Sequence, residues 1–348
     1  MPSDPSLMLL HFDASSNGPL RDMLLEAPML FAETTPDKAK FIVFGNDQVE
    51  YVVHNRLYAR WPLKCVCISE TDTPTFFLPG LYAANAKSFL SNRRVETINY
   101  LISARTKANQ ELKKLDPRGV DKTYLYSFMG ASNSWARKHL FRLAARRPDT
   151  LVESTDAYNH WTSTEDEFER RQANRQRYAE VMARSKFTLC PRGCGLSSLR
   201  LFEAMSLGVA PVIISDRWRP IADIDWSFAI FVKERDIKRI DDIMRSHQEE
   251  WRERGDRGRL IYETLLTPDR VQELVYRQLA RVEGGVNARS EYAIRFAAKI
   301  NARRLQLWWA FYGVSKRLAL RVIDATGAPL PIQLHQPISE QLGRRDQC

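Results

Sequence analysis

The stretch SKFTLCPRGCGLSSLRLFEAMSLGVAPVIIS (185–215) places a glycine-containing loop and a helical pattern between two apolar runs. The first run predicts a strand over 187–190, and the second predicts another strand. Between them the pattern predicts a helix over 197–207, with Ser197 as its N-cap and Gly208 as the residue that ends it. A strand, a crossover helix and a second strand are typical of a parallel α/β sheet.

Short apolar runs and longer helical patterns alternate on both sides of this stretch. In the last two thirds of the chain, strands are predicted over 123–130, 149–154, 187–190, 210–215 and 227–232, and helices over 135–147 and 175–185. In the first third, strands are predicted over 7–12, 40–45, 50–54 and 64–69, followed by a charged helical pattern over 84–115. We therefore expect two facing Rossmann-like domains with ligands at the strand C-termini.

Length and charge narrow the class of protein. The chain has 348 residues, too many for one ordinary core, and 44% of them are apolar. Its 52 basic residues against 42 acidic ones give a net charge of +10, which favours an anionic partner. The basic residues are mixed with acidic ones along helices, and this argues against a nucleic acid as that partner. We expect domains over 1–118 and 119–288, a C-terminal helix over 289–320 and a loose tail over 321–348.

The N-terminus, the cysteines and the C-terminal helix bear on location. MPSDPSLMLLHFD (1–13) lacks the basic segment and apolar length of a signal peptide. The five cysteines include Cys-x-Cys and Cys-x3-Cys spacings, which do not match zinc sites and favour buried thiols in a reducing compartment. We therefore expect a cytoplasmic protein. The basic amphipathic pattern over 289–319 favours packing across the domains, with peripheral membrane association as the alternative.

The loop in the opening stretch has the chemistry of an anion site. Gly193 and Gly195 let a ligand approach the backbone, and the following helix N-terminus attracts negative charge. Arg192 and Arg200 supply guanidinium groups suited to phosphate. Glu203, one turn further on, could accept hydrogen bonds from ribose hydroxyls. The loop therefore predicts a nucleoside diphosphate site, the alternative being a tight turn with a surface Arg200–Glu203 pair.

The longer segment FTLCPRGCGLSSLRLFEAMSLGVAPVIISDRWRPIADIDW (187–226) resembles the C-terminal signature of exostosin-like glycosyltransferases, glycosyltransferase family 47. YLYSFMGASNSWARKHL (124–140) is similar to another segment of that family, and ETDTPTFFLPG (70–80) to a loop of its N-terminal half. The positions that carry the main match are Phe187, Leu189, Pro191, Arg192, Gly193, Ser198, Arg200, Glu203, Ala204, Pro211, Val212, Pro220 and Trp226.

This resemblance implies an α/β fold of the GT-B type and an inverting transfer of a sugar from a nucleotide-diphosphate sugar. The acceptor would be a glycan or lipid-linked glycan, in the synthesis of surface or exported polysaccharide. A catalytically inactive relative that binds nucleotide or glycan is the alternative. The implied donor-binding residues are Arg192, Gly193, Gly195, Ser197, Ser198, Arg200 and Glu203, with Gly130 and Arg137 from the first strand and helix of the second domain.

An inverting transfer needs a general base on the acceptor side. Four residues of the first domain are candidates: His11 and Asp13 at the end of its first strand, and Glu70 and Asp72 after the strand 64–69. We favour Asp72, because it follows a buried-looking strand and precedes Pro74, and we keep Asp13 beside it. Asp223 and Asp225 form the Asp-x-Asp pattern of metal-dependent transferases, but their loop favours turn and packing roles. We expect no obligatory metal or other cofactor.

Overall fold

Two parallel sheets organise the chain. The computed structural model describes residues 6–87, 94–116, 119–143, 147–156, 165–285, 291–292 and 295–296. The first sheet has the strand order β2-β1-β3-β4-β5-β6, and the second has the order β11-β10-β9-β7-β8. Every neighbouring pair of strands within each sheet is parallel. This is the predicted α/β class with two Rossmann-like sheets, consistent with the GT-B type.

The strands of the first sheet are β1 Met8–Phe12, β2 Phe31–Glu33, β3 Phe41–Phe44, β4 Cys65–Ser69, β5 Gly80–Tyr82 and β6 Val95–Thr97. Those of the second are β7 Tyr124–Gly130, β8 Thr150–Ser154, β9 Ser185–Pro191, β10 Ala210–Ile214 and β11 Ile230–Phe231. The helices are α1 Pro19–Leu25, α2 Val49–Val53, α3 Arg56–Arg60, α4 Leu101–Thr106, α5 Gln110–Lys113, α6 Trp135–Leu143, α7 Glu165–Ala183, α8 Leu199–Leu207, α9 Ile240–Ser246, α10 Trp251–Leu265 and α11 Val271–Gly285.

The second sheet agrees well with the sequence. Every residue of β10 is buried, as expected for a strand covered on both faces in a parallel sheet. Phe187 of β9 lies opposite Ala210, and Pro191 opposite Ile214, so both strands end at the same edge. Gly208 ends α8 in the left-handed conformation at φ 75°, where glycine carries no Cβ penalty. Its predicted role as a helix stop is confirmed.

Three local predictions were wrong. The predicted strand over 50–54 is helix α2, because its buried residues Val49 and Val52 have helical spacing instead of alternating. The charged stretch 84–115, predicted as helix, contains strand β6, which is too short to show an alternating pattern. Helix α8 begins at Leu199 with Ser198 as N-cap, one residue after the predicted Ser197, and the Ser198 side chain makes no capping hydrogen bond.

The regions around the two sheets pack against each other. Ala86 and Trp218 form an antiparallel β-bridge, and the Lys87 N–H donates to the Arg217 carbonyl at 2.7 Å. Trp218 is buried, and its indole N–H donates to the Ala83 carbonyl at 3.4 Å. One apolar cluster continues through both regions. It includes Leu81, Ile98 and Tyr100 from the first and Cys190, Phe202 and Ile213 from the second.

Helix α11 follows the second sheet in sequence but packs against β5 and β6 of the first. Its Gln278 side chain donates to the Thr97 carbonyl at 2.7 Å. The predicted division at 118/119 falls between the two sheets, and the domain limits themselves remain a proposal. Apart from 291–292 and 295–296, the predicted C-terminal helix and tail lie outside the described residues. Of the helices that the structure describes, none has the length and apolar character needed to cross a bilayer.

Candidate functional site

The loop between β9 and α8, residues 192–198, lies at the C-terminal edge of the second sheet. The Arg192 N–H donates to the Ile214 carbonyl at 3.0 Å, and the Ser134 hydroxyl donates to the Arg192 carbonyl at 2.8 Å. At the other end, the Ser215 hydroxyl donates to the Leu196 carbonyl at 2.8 Å. These bonds fix the loop at the edge where parallel α/β sheets bind ligands.

Arg200 of α8 is 9% exposed and has unused hydrogen-bonding capacity. Its Nη2 donates to the Met129 carbonyl, and its guanidinium lies 4.5 Å from the Phe128 ring centroid and 5.6 Å from that of Tyr178. Among the described atoms, Nε and Nη1 have no hydrogen-bond partner, and the buried Ser197 hydroxyl lies next to the Tyr100 hydroxyl. Because buried polar groups are normally satisfied, the two Arg200 donors indicate a place for an acceptor such as an anion.

Gly130 and Gly193 leave space around the two arginines of this site. A Cβ on Gly130 would lie 3.0 Å from Arg200 Nη2, and one on Gly193 would lie 3.1 Å from Arg137 Nη2. Arg137 Nε donates to the Arg192 carbonyl at 3.1 Å, and Nη1 donates to the Ala131 carbonyl at 3.3 Å. Burial and the nearby Arg200 charge lower the pKa of Arg137 to about 10, so it remains a cation at neutral pH.

Glu203 is held by a residue that the sequence did not single out. The Tyr178 hydroxyl of α7 donates to Glu203 Oε2 at 2.6 Å. Burial raises the pKa of Glu203, while the Tyr178 hydrogen bond and the Arg200 charge act in the opposite direction. Tyr178 is 25 residues away in sequence, in a helix predicted only by its general pattern. Glu203 is therefore fixed through one oxygen, with the other left for a further donor.

Asp72 of the first region meets the loop of the second. It accepts a hydrogen bond from the Gly195 N–H, and a Cβ on Gly195 would overlap Asp72 Oδ1. Burial raises the pKa of Asp72, against the opposing effects of the Arg137 charge and the Gly195 hydrogen bond. Tyr100 is also close, since the Asp72 charge adds to burial in raising the pKa of the Tyr100 hydroxyl. The structure thus brings together Asp72, Gly195 and Arg137.

The other candidates for the general base, Asp13, Glu70 and His11, make hydrogen bonds within the first region. Asp13 is 3% exposed and accepts from the Ser15 N–H and hydroxyl, the Tyr51 hydroxyl and the Asn55 amide, at 2.6–2.9 Å. Glu70 accepts from the Ile102 N–H and from the Ser103 N–H and hydroxyl at the start of α4. His11 Nδ1 lies 2.9 Å from the Thr34 carbonyl. None of these contacts joins them to the loop 192–198.

Arg192, Asp223 and Asp225 all have partners within the protein. Arg192 Nε and Nη2 donate to Glu234, at 2.7 and 3.2 Å. Asp225 accepts from the Ser227 N–H at 3.0 Å and caps a short 3₁₀ turn, while Asp223 pairs with Arg281. The Asp-x-Asp carboxylates therefore have the turn and packing roles that we expected.

One cavity of the described structure lies away from this loop. A space of about 330 Å³ is lined by residues of α7 and of the beginnings of β7 and β8, at the opposite end of the strands from Gly193: Tyr124, Leu151, Ala173, Gln176, Arg177, Glu180, Val181 and Arg184. The chemistry described above is at the strand C-termini. We place the candidate site there, on the geometry of the arginines and Asp72 and not on cavity size.

Residues 82–247 match the family model of the Exostosin GT47 domain. The match contains β7, β9 and α8 and thus the Gly193, Arg200 and Glu203 side of the site. Residues 82–247 are therefore an exostosin-like GT47 segment. The resemblance inferred from the sequence is confirmed.

Relatives of this exostosin-like domain include animal and plant proteins. The chain is 34% identical to Exostosin-1 of Drosophila melanogaster over 138 residues, which are 36% of this chain and 18% of that protein. It is 31% identical to the Exostosin-1 homolog of Caenorhabditis elegans over 173 residues, 45% of each. A protein of Oryza sativa subsp. japonica named "Probable glucuronosyltransferase" is 47% identical over 72 residues, 20% of this chain and 17% of that protein. The chain spans less than half the length of each of these relatives.

Proposed function

We propose that this chain is an inverting glycosyltransferase. It transfers a sugar from a nucleotide-diphosphate sugar to a hydroxyl group of a glycan or lipid-linked glycan acceptor, in the synthesis of a surface or exported polysaccharide. The exostosin-like domain supports the class of activity. The observation that carries the proposal is the unused hydrogen-bonding capacity of Arg200, with Asp72 facing the same loop.

The donor diphosphate binds at the start of α8 in this proposal. Arg200 Nε and Nη1 are available to it, the Ser197 hydroxyl beside Tyr100 lies at the same helix start, and Arg137 adds a second guanidinium beside Gly193. The N-terminus of α8 contributes a partial positive charge. These groups stabilise the negative charge that develops on the leaving diphosphate. Arg192 is bound to Glu234 in this structure, so we assign it to holding the loop until a donor competes for it.

Glu203 binds the ribose of the donor. Its Oε2 is occupied by the Tyr178 hydroxyl, and Oε1 remains for a ribose hydroxyl. A carboxylate one turn beyond the diphosphate-binding end of a helix suits the distance between the diphosphate and the ribose of a nucleotide. Because Tyr178 fixes the rotamer of Glu203, less conformational entropy is lost when the ribose binds.

Asp72 acts as the general base. Its carboxylate takes the proton of the acceptor hydroxyl while the acceptor oxygen forms a bond to the anomeric carbon. The bond from that carbon to the diphosphate oxygen breaks on the opposite face, and the diphosphate leaves with the electron pair. A pKa raised by burial makes Asp72 a stronger base than an exposed aspartate, which favours proton transfer near neutral pH.

Donor binding and donor turnover together test this proposal. We expect one nucleotide sugar of a panel, and its nucleoside diphosphate, to raise the melting temperature, because a ligand that binds only the native state stabilises it. The same nucleotide sugar should release nucleoside diphosphate in the presence of the enzyme. Glu203→Ala should abolish the thermal shift, whereas Glu263→Ala should leave it unchanged, because Glu263 pairs with Arg259 on the surface.

Glu203→Gln serves as a second variant if the alanine variant unfolds, since glutamine still accepts from Tyr178. No thermal shift with any nucleoside diphosphate would overturn the donor site. A shift without release of nucleoside diphosphate under any acceptor would favour a nucleotide-binding module without catalysis. A cytoplasmic location, peripheral membrane association, the absence of an obligatory metal and the absence of a nucleic-acid partner remain predictions.

A further inference from the structure

The loop that carries Asp72, residues 70–79 between β4 and β5, is pinned from the interior of the first region. Buried Asp47 accepts from the Thr75 N–H at 2.6 Å and from the Phe76 N–H at 2.9 Å. The Thr75 hydroxyl donates to the Asp47 carbonyl at 2.6 Å. The C-terminal half of the loop is therefore bound through its backbone, so its path does not depend on solvent-exposed side chains.

Phe76 has an unusual backbone conformation. Its φ is 54°, and it is the one non-glycine residue with positive φ among those described. For a bulky side chain this conformation is rare and strained, so it persists only where the surroundings impose it. It lies four residues after Asp72. Because both residues belong to the same short loop, the turn at Phe76 helps to set the position of Asp72.

Arg94 is the side chain that binds this turn. It is 3% exposed, and it donates from Nη1 to the Phe76 carbonyl at 2.5 Å and from Nη2 to the Phe77 carbonyl at 3.0 Å. Without Arg94 both carbonyls would lose a hydrogen bond, and an unsatisfied acceptor in the interior lowers the stability of the fold. The planar guanidinium contacts two consecutive carbonyls at once, which a lysine ammonium cannot do with the same geometry.

Arg94 is oriented in turn by residues that follow α11. Glu291 accepts from Arg94 Nε at 2.9 Å and also from its Nη2. Arg295 Nε donates to Glu291 at 2.6 Å, and Arg295 Nη1 donates to the Pro62 carbonyl at 2.6 Å. Glu291 and Arg295 are 1% and 2% exposed. A chain of buried contacts therefore leads from Glu291 through Arg94 to the loop of Asp72.

Stability alone does not explain this ionic triad. Two arginines and one carboxylate taken out of water carry a large desolvation cost, and apolar side chains of similar volume often serve stability equally well. Apolar side chains could not hold the Phe76 and Phe77 carbonyls in place. The triad supplies a fixed orientation to a strained turn.

We propose that Arg94, Glu291 and Arg295 are positioning residues that keep Asp72 against Gly195 and Arg137 and so support the acceptor side of the site. This inference rests on the proposed function, in which Asp72 is the base. It gives Glu291 and Arg295 a role in catalysis without any contact to donor or acceptor.

Glu291→Gln tests the proposal in the full-length chain. We expect the thermal shift with nucleoside diphosphate to persist and the KM for the donor to change far less than turnover, because the α8 side is intact. Turnover should fall about tenfold or more, since a displacement of about 1 Å can cost that much. The acidic limb of the pH profile should move to higher pH, because Asp72 loses the Arg137 and Gly195 contacts that lower its pKa. Amide hydrogen exchange should increase at 70–77.

Glu283→Gln is the matched control, since Glu283 of α11 pairs with Lys40 on the surface of the same region. Arg94→Lys is the second variant if Glu291→Gln unfolds, because it keeps the charge facing Glu291 while losing one carbonyl contact. Equal behaviour of both variants and the control in turnover, pH profile and hydrogen exchange would overturn the inference. Hydrogen exchange at 70–77 tests the positioning even if the wild-type protein transfers no sugar.

Discussion

Asp13 and Asp72 follow two strands of the same sheet, and both were candidates for the general base. Asp13 follows β1 and accepts four hydrogen bonds from its own region. Asp72 follows β4 and accepts from the Gly195 N–H of the other region, beside Arg137. A carboxylate whose acceptor positions are filled by the fold has no capacity left for a substrate proton. A carboxylate that keeps free acceptor positions and faces the second sheet can therefore act as a base, whereas one with all its acceptor positions filled is structural.

The pKa values of the two carboxyl groups also distinguish the proposed base from the structural carboxylate. Burial raises the pKa of Asp13, but the hydrogen bonds from Ser15, Tyr51 and Asn55 outweigh it, and the net change is downward. For Asp72 burial dominates, and the net change is upward. The fold thus stabilises the ionised form of Asp13 and disfavours that of Asp72. This difference makes Asp72 the better proton acceptor.

The largest effect that this comparison predicts is on turnover. Asp72→Asn should lower transfer by about 100-fold to 10,000-fold, the contribution of a positioned general base, while the thermal shift with nucleoside diphosphate persists. Asp13→Asn, measured per folded molecule, should change turnover far less. The comparison fails if the Asp13 variant is the inactive one, or if Asp72→Asn retains wild-type turnover.

A smaller effect concerns the free energy of unfolding. Asp13→Asn should lower it by about 2 kcal/mol at neutral pH, the scale of hydrogen bonds to a charged group, as measured by urea denaturation. Because the folded-state pKa of Asp13 is lowered, this contribution is present above the ordinary value of 3.8 and is lost as the pH falls through the folded-state pKa. The difference between variant and wild type should therefore shrink in acid.

The Asp72 carboxylate should affect the free energy of unfolding in the opposite direction. Its folded-state pKa is raised, so ionisation opposes folding above that pKa, and stability is lost as the pH rises through it. Asp72→Asn should leave the unfolding free energy at neutral pH unchanged or higher. A loss equal to that of Asp13→Asn would mean that Asp72 is also a structural carboxylate.

The sequence predicted the second sheet better than the first, for a physical reason. Strands such as β7 and β9 are long apolar runs, and Gly208 marks a helix end by its own conformational freedom. Strands β2, β5 and β6 have three residues each, too few to show a pattern. The Asp72 candidate came from its place after a buried strand. Its contact with Gly195 spans both sheets, and no local pattern encodes such a contact.

The same limit explains the residues that the sequence did not single out. Tyr178 and Glu203 lie 25 positions apart, and Arg94 and Glu291 lie 197 apart. Both pairs depend on helices packing against distant elements. A tyrosine in α7 or a glutamate after α11 has no local signature that distinguishes it from its neighbours. The packing of α11 against β5 and β6 makes the second pair possible.

Hydrogen exchange with and without bound nucleoside diphosphate tests the central claim most directly, namely that Asp72 and the loop 192–198 are two sides of one site. With the nucleoside diphosphate that gives the largest thermal shift, we predict slower amide exchange both at 192–200 and at 70–73. Exchange around Asp13, at 13–16, should not change. Protection confined to segments outside the loop 192–198, or protection of that loop without any change at 70–73, would contradict the account.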